Sequence, residues 1–136
     1  MIELSLQKKE KIEQIAQKYS LELVLLFGSQ ITGKTHKESD YDIGYLSKKN
    51  LDIGDEGNLI IDLLPIVEKR DERIINLVNI KKASPLLLYA ITTQAQVLYE
   101  KSSISFAKLR AYGFKKYIEM KPMYKERERR IQKQFT

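Results

Sequence analysis

The chain has 136 residues, 43% of them hydrophobic and 31% charged, room for one compact domain that buries about two-thirds of its unfolded surface. No apolar run approaches the roughly 20 residues that span a bilayer, and the opening MIELSLQKKEKIEQ lacks the apolar stretch of a secretory signal, so cytoplasmic residence is expected. With no cysteine and His36 as the single histidine, disulfides, thiolate sites and ordinary His/Cys zinc centres are excluded, and any metal must sit on carboxylates.

Residues 6–19 place Ile12, Ile15, Ala16 and Tyr19 at i, i+3, i+4 and i+7, the stripe of an amphipathic helix. LELVLLF at 21–27 is a dense apolar run of strand length that ends on Gly28, so it reads as a strand buried on both faces. The polar stretch SQITGKTHKESD, 29–40, reads as a connection, and YDIGYL at 41–46 as a second strand. Alternation along that strand turns Asp40 and Asp42 to one side and Tyr41 and Ile43 to the other.

Residues 47–58 read as a polar loop. LIIDLLPIVEK then shows Ile60, Leu63, Leu64 and Val67 at helical spacing, with Pro65 near its first turns. RIINLVNI, 73–80, is β-branched and reads as a third strand. Ser84-Pro85 starts a third helix, with Ser as N-cap and Pro at the first helical position. QVLYE, 96–100, has the length of a short edge strand. The last third carries Ala107, Ala111, Phe114 and Ile118 at near-helical spacing and meets Pro122, which predicts a bent or broken final helix. The order predicts one α/β or α+β domain over residues 1–136, a small mixed sheet packed with helices. Its net charge of +6 is concentrated in a basic tail: residues 121–136 hold six cations against Glu126 and Glu128. Such a tail could meet nucleic acid or an acidic protein, but the interleaved glutamates favour a solvated helix face.

GSQITGKT at 28–35 satisfies the letter of the phosphate loop G-x-x-x-x-G-K-[ST] and follows a buried strand. A phosphate loop, however, opens a long helix packed on the sheet, and KTHKESDYD contains no aliphatic residue with which to pack one. The better grouping is Gly28-Ser29, ten residues, then Asp40-Tyr41-Asp42, with the loop linking two strands whose ends form a site.

With that spacing, FGSQITGKTHKESDYDIGYL resembles the signature of the nucleotidyltransferase superfamily related to DNA polymerase β, and the minimal nucleotidyltransferases in particular. INLVNIKKASPLLLYAITTQAQVLYE resembles the third strand, following helix and final strand of that fold. The resemblance implies Mg²⁺, one ion or two, with ATP as substrate. It further implies a HEPN-type toxin as partner, to whose tyrosine the nucleotidyltransferase, acting as antitoxin, transfers an adenylyl group. Nucleic acid and membrane are not expected as partners.

Mg²⁺ takes a few carboxylates with phosphate oxygens and water, so Asp40 and Asp42 are its expected ligands. Gly28 allows close backbone approach and Ser29 offers a hydroxyl and an N–H to phosphate. Ser39 either joins them on the nucleotide side, orienting Asp40, or caps a turn; Lys34 and His36 either touch phosphate or are solvated. Members of the family carry a third carboxylate on the third strand, and here the matching residue is Asn76, which adds no charge and serves as no base. In a second alignment LIIDLLPI becomes that strand and Asp62 the third acid. Two functions therefore stand side by side, a protein adenylyltransferase and a degenerate antitoxin that neutralises its partner by binding alone.

Overall fold

The computed structural model describes residues 1–32 and 40–135. β1 (Leu21–Phe27) is apolar on both faces because it runs through the middle of the molecule. β2 (Tyr41–Ser47) and β4 (Ala95–Glu100) flank it antiparallel, and β3 (Ile75–Asn79) pairs parallel with β2, giving the order β3-β2-β1-β4. This is the mixed sheet the sequence predicts. Antiparallel pairing on both sides of β1 is also unlike a phosphate-loop strand, which belongs to a parallel sheet.

Helices cover both faces. α1 (Leu6–Tyr19) follows its predicted span, with the Ser5 side chain accepting from the Lys8 N–H and Ser20 closing the end in the left-handed region at φ 55°. It packs with α3 (Ile53–Val67) on one face of the sheet, over Val24, Leu26, Ile43 and Tyr45. α4 (Pro85–Thr93) and α5 (Ser105–Phe135) cover the other, over Leu23, Leu25 and Ile80. A register irregularity between Leu21 and Leu23 lets Leu21 join the same cluster as Val24, which strict alternation would forbid. The short α2 (Ser29–Thr32) follows β1.

Three expectations need correction. α3 begins at Ile53, so much of the segment read as a loop is helix, and Pro65 lies in its last turn. Gly54, Gly57 and the polar residues there hide the apolar period. The start comes instead from a reciprocal cap, Asp55 N–H to Asp52 at 2.7 Å and Asp52 N–H to Asp55 at 3.1 Å. β3 is shorter than its apolar run, because 3-10 turns at Glu72–Ile74 and Ile80–Lys82 close it, capped by Asp71 and Asn79. α5 is one helix through Pro122; proline's own φ is helical, and what it forfeits is one N–H to carbonyl bond. Ser84 and Pro85 start α4 as predicted, with the Leu87 N–H donating to Ser84.

Among the described residues no helix is long and apolar enough to cross a membrane.

Candidate active site

The end of β1 and the start of β2 meet because the two strands are antiparallel. Phe27, the last residue of β1, pairs with Asp42, and the next residue is Gly28. Parallel pairing on the other side of β2 sets Asn76 directly beside Asp42. Three residues far apart in the chain thus share one corner of the sheet. Asp40 stands exposed one position ahead of β2.

The corner opens on the face covered by α4 and α5. Tyr41, Ile43 and Tyr45 belong to the core beneath α1 and α3, whereas Gly44 is backed by Ile80 and Phe27, so alternation turns Asp42 with Gly44. Tyr41 is accordingly packed against the core, turned away from the acids.

Gly28 is in the left-handed region at φ 79°, and a Cβ there would fall on Oδ2 of Asp42. Glycine is needed twice over, for the backbone turn and for the space the carboxylate fills. The other oxygen of Asp42, Oδ1, accepts a hydrogen bond from Nδ2 of Asn76 at 3.0 Å. Ser29 opens α2, whose first turn is closed by the Ile31 N–H on the Gly28 carbonyl at 3.0 Å. Ser39, Lys34 and His36 lie outside the described residues.

Asp62 is elsewhere. It sits in α3 and accepts from the Tyr19 hydroxyl at 2.6 Å and from Lys18 Nζ at 2.9 Å, lashing α3 to α1 on the opposite side of the sheet. The alignment that makes it a third acid is therefore not the one the chain adopts. Partial burial raises its pKa, but the bonds from Tyr19 and Lys18 outweigh burial and hold it below its ordinary 3.8. A depressed folded-state pKa contributes stability that is present above the ordinary value and lost as pH falls through the folded one. Asp62→Ala should therefore cost about 1 kcal/mol, one net hydrogen bond, at neutral pH and progressively less below about pH 4. Nucleotide binding should be unchanged. Thermal melts across pH with a nucleotide titration would check this, and a lost nucleotide site would place Asp62 in the chemistry after all.

Two further features escaped a reading by pattern. Ala107, Ala111, Phe114 and Ile118 face outward, with Phe114 56% and Ile118 48% exposed, while Phe106, Leu109 and the buried Gly113 face the sheet and α4. A Cβ at Gly113 would come within 3.2 Å of Leu88 and Thr92. An isolated glycine inside a helical pattern was the available signal of this close crossing.

A mixed sheet with a glycine turn abutting a carboxylate at the next strand defines the nucleotidyltransferase fold. The chain belongs to the polymerase β nucleotidyltransferase family, whose model (Polymerase beta, Nucleotidyltransferase) matches residues 10–104. Among solved structures it is similar to a toxin–antitoxin with AMP-PNP, at 24% identity and a TM-score of 0.71, covering 94% of this chain and 98% of that one. It is similar too to a chain in the MntA–HepT toxin–antitoxin, at 21% identity and a TM-score of 0.66, covering 97% and 100%. A third match comes from the complex of a tri-AMPylated Shewanella oneidensis HEPN toxin with its MNT antitoxin, at 21% identity and a TM-score of 0.66, covering 96% and 98%. No curated protein sequence matches the chain.

Proposed function

We propose that this chain is the antitoxin of a toxin–antitoxin pair and transfers an adenylyl group from ATP to a HEPN-type partner. The observation that carries the reading is the abutment of Gly28 on the carboxylate of Asp42, which brings an acid against the turn at the end of β1 only because residue 28 has no side chain. The solved structures of like fold, with AMP-PNP in one and an AMPylated HEPN toxin in another, support the nucleotide and the partner.

In the step itself, a tyrosine hydroxyl oxygen of the partner attacks the α-phosphorus of ATP. The new bond is O–Pα, the bond from Pα to the bridging oxygen breaks, and pyrophosphate leaves with that electron pair while the hydroxyl proton passes to solvent. Asp40 and Asp42 fit a Mg²⁺ ion, since two carboxylates with phosphate oxygens and water are a usual magnesium donor set, and one Asp42 oxygen faces the glycine turn. When bound, the ion neutralises the triphosphate. Gly28 admits the phosphates, and Asp42 is held in place by Asn76.

α5 supplies a surface for the partner. Ten lysines and arginines against three glutamates give it a net charge of +7, more than the whole chain's +6. Along it runs the exposed stripe Ala107, Ala111, Phe114 and Ile118, beside a groove of about 530 Å³ against Tyr89, Thr92 and Thr93 of α4. Apolar residues rimmed by positive charge suit a protein whose apolar patch is rimmed by acids; a second copy of the same helix would be repelled. Phe114→Asp with Ile118→Asp should weaken the partner complex by about 100-fold or more, the loss of two buried anchors, and leave nucleotide affinity unchanged. Calorimetry with each ligand separates the two. Undiminished partner affinity would move the interface elsewhere, and binding of RNA that falls steeply with salt would replace the protein partner.

Labelled ATP, Mg²⁺ and the partner test the reaction directly. Label on the partner is the expected result; none from the native chain, and none gained by Asn76→Asp, would rule transfer out. Asn76 favours a second reading, neutralisation by binding alone. It would be upheld by full inhibition of the partner, without modification, by Asp40→Asn and Asp42→Asn.

A further inference from the structure

We propose that this active site holds one divalent cation rather than two, and that Asn76 is the residue that closes the second position. The inference rests on the nucleotidyltransferase reading and concerns how that site is loaded.

The two oxygens of Asp42 face different neighbours. Oδ2 lies against Gly28, so it looks toward the turn at the end of β1. Oδ1 looks toward β3 and is occupied by the amide N–H of Asn76 at 3.0 Å. A pair of cations about 4 Å apart needs carboxylates that reach both, and here the β3-side oxygen is already bonded to a donor that carries a partial positive charge. Turning the amide over presents a neutral oxygen, which still lacks the charge that would offset repulsion between two dications. Asp40, exposed one position ahead of β2, can join Asp42 on a first ion, and among the described residues no third acid stands with them. Asp42 is paired in register with Asn76, Asp62 is held by Tyr19 and Lys18, and among the described residues no cluster of three acids or histidines is assembled. The side toward Gly28 presents the carboxylate oxygen that Asn76 does not engage, and that is where the single ion belongs. Asn76 is thus a positioning residue, fixing Asp42 toward the nucleotide while denying a cation to the strand beside it.

Equilibrium dialysis against Mn²⁺ and a saturating non-hydrolysable ATP analogue, with the metal retained by the chain counted by electron paramagnetic resonance, tests this without turnover. The native chain should retain one Mn²⁺ per bound analogue, Asn76→Ala one, and Asn76→Asp two, the second with spin–spin broadening of the signal. Two ions on the native chain would overturn the proposal and leave the nucleotidyltransferase reading intact. No retained analogue or metal would overturn both. A folded Asn76→Asp, verified by circular dichroism, that still retains one ion would also overturn it. Should that variant fail to fold, the count on the native chain alone decides.

Discussion

Asp42→Asn should lower adenylyl transfer by about 10³-fold while the chain melts within a degree or two of the native protein. The rate effect follows from charge. A metal on a triphosphate is worth several kcal/mol of transition-state stabilisation, and each 1.36 kcal/mol is tenfold in rate, so removing the carboxylate oxygen that faces Gly28 removes about three powers of ten. The fold is spared because the substituted amide keeps an oxygen able to accept from Asn76, as Oδ1 of Asp42 does at 3.0 Å, and the side chain is not part of either hydrophobic core. Single-turnover transfer of label, run beside a thermal melt, measures both. Transfer at the native rate would remove Asp42 from the chemistry.

Gly28→Ala should weaken nucleotide binding by tenfold or more and lower stability by more than the about 1–2 kcal/mol that a Cβ in the left-handed region costs by itself. Two separate effects are combined in that substitution. One is the backbone at φ 79°; the other is the collision of the new methyl with Oδ2 of Asp42. They can be parted by repeating the change in an Asp42→Ala background, where the collision is gone and only the backbone penalty remains. The stability loss should shrink in the double variant, a coupling between neighbours of the kind that double-mutant cycles isolate. Strict additivity would mean that the glycine serves the turn alone. An unaltered nucleotide affinity for Gly28→Ala would detach the turn from the binding site.

Much of this site could be read before any coordinates. The apolar run 21–27, its ending at Gly28, and the alternation that turns Asp40 away from Tyr41 are properties of a few adjacent residues, and local periodicity decides them. Helix α1 was legible for the same reason, since its stripe of Ile12, Ile15, Ala16 and Tyr19 is uninterrupted and Ser5 caps it. The first turns of α3 were not. Gly54 and Gly57 lie on its solvent face, and the propensities of those residues speak against a helix that the Asp52–Asp55 cap, the Tyr45 hydroxyl on Glu56 and the packing of Leu59 and Leu63 hold in place.

Local pattern could name Asn76 as the residue in the third strand, but it could not exclude Asp62. Both lie in apolar segments of suitable length, and the choice depends on which segment pairs with β2. The strand that ends in a glycine turn, the acids that follow ten residues later, and the absence of a thiol or histidine cluster were legible in the residues alone, because each is a matter of residue type and short-range spacing. It took the folded chain to show that β3 lies parallel to β2 in the register that joins Asn76 to Asp42, that Asp62 is bound to α1, and that the apolar stripe of α5 faces outward. Strand pairing and helix rotation are set by contacts between residues tens of positions apart, and no periodicity within one segment carries that information.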